Sequence, residues 1–75
     1  MPHVVIKLWP GRPEQKKKEL TDRIVKDMTE TFEMDDSHVS VAFEEIKSDD
    51  WAEKVYNPEI KKNWDKLYKK PGYKM

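Results

Sequence analysis

Apolar residues at the start of the chain follow a pattern that predicts a β-strand over residues 3–9. The segment is rich in β-branched residues, and successive positions alternate between two faces. One face carries Pro2, Val4, Ile6 and Leu8, and the other carries His3, Val5, Lys7 and Trp9. Because apolar residues lie on both faces, we expect both to be covered. Prolines at positions 10 and 13, with a glycine between them, end this strand.

Apolar residues at every fourth position then predict a long helix from Glu14 to about Glu33. The repeating positions are Leu20, Ile24, Met28 and Phe32, and Val25 widens the stripe. This spacing gives one buried face over about five helical turns, with a charged face opposite. Pro13 suits the first helical position, where a missing N–H costs nothing.

A second alternating run, over residues 38–46, predicts another strand after a turn at residues 34–37. Val39, Val41 and Phe43 share one face of this strand. Two strands joined by a helix of this length form a right-handed unit with parallel strands. The predicted fold class is therefore α/β (α+β): a β-α-β protomer forming a single domain, residues 1–75.

The last third of the chain predicts a broken helix. Residues 48–50 suit a helix start ahead of Trp51, and Asn57 suits a fresh cap, with Pro58 as the first residue of a second helix. The second piece presents Ile60, Trp64 and Leu67, and residues 71–72 end it.

A two-stranded sheet covered by one helix is too small to be stable by itself. The chain has 75 residues and no cysteine, so it has a thin core and no disulfide to reinforce it. We therefore expect self-association into a homodimer, with a trimer of dimers as the alternative, in which the strands continue into a larger sheet.

The charge pattern and composition disfavour several other classes of partner. Fifteen basic residues balance fifteen acidic ones, and the lysine run at 16–18 is followed at once by Glu19, which suits a solvated helix face and not nucleic acid. His3 and His38 lack the ligand spacing of a metal site. No segment approaches membrane-spanning length. We expect a cytoplasmic protein without a metal or cofactor.

Pro2 is the candidate for chemistry. Removal of Met1 would leave the chain starting with a secondary amine, and an α-amino group has a reference pKa of roughly 7.7–8.0. Such a base moves protons near neutral pH without another ionisable side chain. If Met1 stays, the Pro2 nitrogen is a tertiary amide with no basicity, and the protein is a non-catalytic scaffold or ligand binder.

Several short motifs in a fixed order resemble the 4-oxalocrotonate tautomerase superfamily. Pro2 opens a strand, Gly11 and Arg12 form the strand-to-helix turn, residues 14–16 start the helix, residues 37–46 form the second strand, and Trp51 follows it. Segments 48–51 and 69–73 are closer still to one bacterial branch of that family. Each motif is weak alone, and the order and spacing over nearly the whole chain carry the likeness.

The resemblance implies a cofactor-free keto–enol tautomerase. By this likeness Pro2 is the general acid/base, Arg12 holds a substrate carboxylate and Trp51 packs against the substrate, with Phe43 as a second aromatic of the pocket. A secondary amine in a partly apolar pocket loses its proton more easily than in water, which agrees with this role. A planar guanidinium suits a carboxylate, which agrees with the role of Arg12.

One position departs from the family pattern. Many members carry a second arginine in the middle of the second strand. This chain has Ser40 at that position. We expect Ser40 to bind the substrate there. One hydroxyl cannot neutralise a second carboxylate, so the likeness favours enols of 2-keto monoacids such as arylpyruvates. Hydration, dehalogenation or decarboxylation by the same base is the alternative. No partnered histidine and acid are evident for Ser40, which disfavours a nucleophile.

Overall fold

The computed structural model describes residues 1–75 as two strands, one long helix and an irregular C-terminal part. Strand β1 (His3–Leu8) is followed by helix α1 (Glu14–Phe32), strand β2 (Ser40–Glu45) and a π-helix (Ala52–Lys61). Short 3₁₀ turns occupy Asp36–His38, Ser48–Asp50 and Trp64–Lys66. The predicted β-α-β order is confirmed. None of these helices combines the length and the apolar character needed to cross a lipid bilayer.

The two strands are parallel and paired in one register. His3 lies opposite Ser40 and Leu8 lies opposite Glu45. The hydrogen bonding continues past both ends: the Ser40 N–H donates to the Pro2 carbonyl at 3.2 Å, and the Ile46 N–H donates to the Leu8 carbonyl at 2.8 Å. Pro2 is therefore tied to the sheet through its own carbonyl.

Helix α1 covers one face of the sheet. Ile6 and Phe43 are register partners on that face. The Lys17 ammonium lies 5.9 Å from the centre of the Phe43 ring and 2.8 Å from the Glu45 carboxylate. Side chains of α1 that turn toward the sheet are half-buried, among them Thr21, Ile24, Val25 and Met28.

The predicted apolar stripe of α1 is only partly buried. Leu20 is 44% exposed and Phe32 is 60% exposed in the protomer. These residues are exposed because α1 is longer than the strands. Its 19 residues span about 28 Å, whereas six strand residues span about 20 Å. The sheet of one protomer is too small to cover both ends of the helix.

The ends of α1 lie within a residue or two of the prediction. Pro13 precedes the helix and does not begin it, because its ψ of 143° is extended. Its carbonyl still accepts the N–H groups of Lys16 and Lys17, at 3.1 and 3.2 Å. Glu33 ends the helix in the left-handed region, with φ 51° and ψ 55°.

The predicted helix break at residues 57–59 is wrong, because the π-helix runs through it with Pro58 inside. In this winding each N–H bonds five residues back, as Lys62 does to the Asn57 carbonyl at 3.2 Å. In an α-helix a proline ring clashes with the carbonyl four residues back. The wider π winding shifts the bonding away from that carbonyl. The predicted second helix is reduced to the 3₁₀ turn Trp64–Lys66, with Leu67 beyond it.

The second face of the sheet is covered only in part. Lys7 joins that face to the π-helix, since its ammonium contacts the Glu59 carboxylate and lies 3.9 Å from the Glu44 carboxylate. Val5 on the same face is 41% exposed. The expectation that both faces are covered therefore holds for one face within a single protomer.

The protomer is open for its size. Only Val55 and Tyr56 are buried, among 75 residues. The radius of gyration is 14.2 Å, against about 11.3 Å for a compact chain of this length. Most apolar side chains are thus half-covered, and a single protomer lacks a full core.

Candidate active site

A cavity of about 710 Å³ lies at the carboxyl end of β1. Its volume is within the range of small-molecule sites. Three stretches of chain form it: the turn after β1, the residue before the π-helix and the last three residues. The lining residues are Lys7, Leu8, Trp9, Pro10, Gly11, Arg12, Trp51, Tyr73, Lys74 and Met75.

The turn after β1 owes its course to one glycine. Gly11 has φ 113°, a conformation that side chains with a Cβ rarely adopt. A Cβ at this position would meet nothing within 4 Å, so the restriction is the backbone angle and not crowding. The turn brings Trp9 and Arg12 to the same cavity.

Aromatic residues fix the opposite wall. The Trp51 indole N–H donates to the Tyr73 hydroxyl at 3.0 Å. The Tyr73 ring packs against the Tyr56 ring, with 5.7 Å between centroids and 38° between planes. Because Tyr56 is only 3% exposed, this chain of contacts ties the wall to the small core of the protomer.

The cavity carries an excess of positive charge. Arg12 and Lys74 form no ion pair within the protomer. Lys7 is different, because its hydrogen bond to Glu59, helped by the charges of Glu59 and Glu44, raises its pKa against the opposing effect of desolvation. Lys7 thus stays positively charged, and the carboxylates of Glu59 and Glu44 neutralise that charge. Two free cations beside aromatic surface suit a small organic anion.

Pro2 lies at the other end of β1. It is half-buried, while Met1 ahead of it is 93% exposed. The Met1 sulfur lies 3.1 Å from His38 Nδ1. With six residues between them, Pro2 and the turn after β1 are separated by about 20 Å in one protomer.

Ser40 lies beside this amino-terminal end, and its hydroxyl is engaged. The distance between Ser40 Oγ and His3 Nδ1 is 2.6 Å. The prediction that Ser40 lacks a histidine partner is therefore wrong; the parallel register brings the two residues opposite each other. No carboxylate contacts His3, so a triad is not formed.

The predicted site residues thus fall into two groups. The structure brings Arg12 together with Trp51 in the cavity, and brings Pro2 together with Ser40 at the opposite end of the strand. Phe43 does not join the cavity as expected, because it lies on the face under α1 near Lys17.

Trp9, Tyr73 and Lys74 are among the cavity residues that sequence reasoning missed. Trp9, which the sequence pattern placed on one face of the first strand and not at a site, is 54% exposed and lines the cavity. Tyr73 and Lys74 reach it from the end of the chain. The turn at Pro71 and Gly72 was the one signal that the last residues return toward the protein, and no spacing in the sequence links position 73 to position 51.

Comparisons with known proteins agree with the resemblance. A profile of the tautomerase family, described as "Tautomerase enzyme", matches residues 2–55. A probable tautomerase of Xylella fastidiosa is 41% identical over 97% of this chain and 89% of its own length. Tautomerase PptA of Pectobacterium carotovorum is 40% identical over 97% of each chain, and that of Enterobacter sp. is 40% identical over the full length of both. The chain belongs to the tautomerase family and is an isomerase of the tautomerase type.

Proposed function

We propose that this enzyme ketonises the enols of 2-keto monoacids such as arylpyruvates, without a cofactor, and that the Pro2 amine is its general acid/base. The anchoring of Pro2 carries the proposal. Its carbonyl is hydrogen-bonded to Ser40, so the nitrogen lies at a fixed place on the sheet. Met1 is exposed and therefore accessible to removal, which would expose the amine.

In the proposed reaction the neutral amine accepts the proton of the enol hydroxyl. The resulting ammonium then delivers a proton to the adjacent carbon, which yields the ketone and restores the amine. Cations near the amine favour its neutral form, because they oppose a further positive charge. Proton transfer by a group already held in place needs no metal and no second reactant.

The cavity supplies the binding part of the proposal. Arg12 is free of ion pairs and presents a planar, two-pronged donor for the carboxylate. Trp51, half-buried and fixed through its N–H, offers an apolar ring to the aromatic end of the substrate. Ser40 supplies no cation for a second carboxylate at its own end of β1, which favours a monoacid bound by the cations of the cavity over a diacid.

Pro2 and the cavity come together in a dimer of the proposed kind. The sheet has two strands, so β1 is an unpaired edge on one side. Two copies of one edge that pair across a two-fold axis run antiparallel, because the axis reverses the strand direction. The start of β1 in one copy then lies near the end of β1 in the second. Pro2 of one copy is thereby directed toward Arg12 of the other.

The exposed area of the protomer also supports a homodimer. A compact monomer of this mass exposes about 4,900 Å², whereas the protomer exposes 6242 Å². The excess of roughly 1,300 Å² per protomer is within the range that an obligate dimer buries on each side. A trimer of dimers would bury more.

The experiment that tests the role of Pro2 compares three proteins on the enol of an arylpyruvate. They are the wild type, Pro2→Ala, and a variant with lysine inserted between Met1 and Pro2. The bulky inserted residue protects Met1 from removal, so Pro2 remains but its nitrogen is an amide. We expect kcat to fall about 100-fold in Pro2→Ala, and further in the insertion variant.

Mass spectrometry must show Met1 absent from the wild type and Pro2→Ala, and present in the insertion variant. Equal rates in all three proteins would refute the role of Pro2. Turnover of a halogenated acrylate without any enol ketonisation would favour the hydration or dehalogenation alternative. Retention of Met1 in protein from the native host would favour a non-catalytic binder. The cytoplasmic location stays a prediction, which fractionation of the host would test.

A further inference from the structure

The C-terminal tail (Tyr73, Lys74 and Met75) forms part of the cavity wall although nothing in the proposed chemistry uses it. All three residues line the cavity. They lie more than 60 positions away in the sequence from the turn that carries Arg12. A tail that follows Pro71 and Gly72, outside any helix or strand, and still lies against a cavity must be held there by specific contacts.

Tyr73 provides those contacts. Its hydroxyl accepts the N–H of Trp51 at 3.0 Å, and its ring lies 5.7 Å from the buried ring of Tyr56. The residue is still 43% exposed, so apolar burial alone does not fix it. The hydrogen bond and the ring pair together determine where the next residue of the tail lies.

That next residue is a lysine with no partner. Lys74 forms no salt bridge or hydrogen bond within the protomer, whereas Lys7 in the same cavity is compensated by two glutamates. An ammonium at the edge of an aromatic cavity attracts a carboxylate, and because Lys74 is exposed, water screens part of that attraction.

We propose that Lys74 is a substrate-binding residue that contacts the substrate carboxylate together with Arg12, and that Tyr73 is the positioning residue that holds Lys74 at the cavity. The proposal rests on the proposed function, since it names the anion bound at that same site. It assigns the second positive charge of the site to the tail, in a chain that has Ser40 at the family's second arginine position.

The test uses a substrate pair that differs only in charge: the enol of an arylpyruvate and the enol of its methyl ester. The variants are Lys74→Gln, Tyr73→Phe and the double variant. Lys62→Gln and Tyr68→Phe are matched controls, because both residues are exposed and neither makes a side-chain contact to the cavity. Tyr73→Phe keeps the ring but removes the acceptor of the Trp51 N–H.

We expect Lys74→Gln to raise KM for the acid about fivefold, the effect of one partly exposed ion pair. KM for the ester and kcat for both substrates should change less than about twofold. Changes of that size are also expected in the control variants. Tyr73→Phe should also raise KM for the acid more than for the ester. Loss of the Trp51 hydrogen bond should affect both substrates, whereas the extra effect on the acid acts through Lys74. That extra effect should therefore be absent when Tyr73→Phe is added to Lys74→Gln.

Equal changes for acid and ester in Lys74→Gln would overturn the proposal, and so would an acid-specific effect of Tyr73→Phe that persists in the double variant. Calorimetric binding of 3-phenylpropanoate and its methyl ester separates this inference from the proposed function. If no variant or wild type ketonises enols but Lys74→Gln still weakens binding of the acid alone, the function fails and the tail assignment stands. Should Tyr73→Phe misfold, Lys74→Gln decides the matter.

Discussion

Arg12 is the side chain on which recognition of an acid should depend most. It lies just after the one residue of the turn with a positive φ, and it carries a charge that no neighbour within the protomer offsets. The backbone of Gly11, with its positive φ, directs the chain so that Arg12 reaches the cavity.

At this scale we predict that Arg12→Gln raises KM for an arylpyruvate enol about 30-fold, because it removes a charged hydrogen bond worth about 2 kcal/mol. The methyl ester should be affected far less. Steady-state kinetics of both substrates measure the effect. Arg23→Gln is the matched control, since Arg23 pairs with Glu19 on the exposed side of α1. An equal loss on acid and ester would show that Arg12 does not bind the carboxylate.

The elements of the fold differ in how far sequence pattern predicts them. The 3.6-residue spacing gives α1 to within a residue at each end, and alternation gives both strands, because these patterns depend on local geometry. The π-helix cannot be predicted from the pattern, because its apolar residues suit an α-helix as well as a π-helix and Pro58 favours a helix break. The exposure of Leu20 and Phe32 was also unpredictable, because it depends on the size of the sheet that α1 meets.

The end of α1 offers a stability test. Glu33 has φ 51°, which costs a residue with a side chain roughly 1 kcal/mol relative to glycine. We predict that Glu33→Gly raises the free energy of unfolding by about that amount, measured by urea denaturation. Glu30→Gly is the control: it lies inside the helix and should lower stability by about 1 kcal/mol. Equal losses for both would exclude a left-handed cap at Glu33 in solution.

The link between β1 and the π-helix should depend on pH. The pKa of Lys7 is raised above 10.5 in the folded protein, chiefly by its hydrogen bond to Glu59. A raised lysine pKa adds stability at pH values below 10.5, and this stability is lost as the pH rises through the folded-state pKa. Urea denaturation at several pH values above 10 should show the loss.

Glu59→Gln should remove much of this pH dependence, because it takes away the largest cause of the shift. Glu53→Gln, a neighbour in the π-helix without an ion pair, should leave it unchanged. If the free energy of unfolding falls with pH as steeply in Glu59→Gln as in the wild type, the pair between Lys7 and Glu59 does not form in solution.

The whole molecule is a protomer with too little buried surface for its length. Two buried residues and an excess of exposed area leave the apolar ends of α1 and one sheet face without cover. Pro2 is separated from Arg12 and Trp51 by the length of β1, a distance that the residue count of the predicted strand already implied. Stability and completion of the site thus both call for a second copy.

We predict that folding and association are coupled. Sedimentation should give a dimer, and the midpoint of thermal unfolding should rise with protein concentration, since dilution favours the unfolded monomer. Kinetics of mixed dimers provide the sharper measurement. Pro2→Ala and Arg12→Gln proteins, each impaired alone, should regain part of the activity at low substrate concentration when they are mixed. A stable monomer with full activity would contradict the predicted dimer. A hexamer would change only the number of copies in the assembly.

Purification handles are a practical concern for this chain, because neither terminus is a neutral place for a fusion. Residues added ahead of Pro2 would turn its nitrogen into an amide, and residues added after Met75 would extend from the rim of the cavity. Recombinant protein should therefore carry a cleavable fusion that leaves the authentic first residue. A preparation without activity is evidence against catalysis only when no residue of the fusion remains ahead of Pro2.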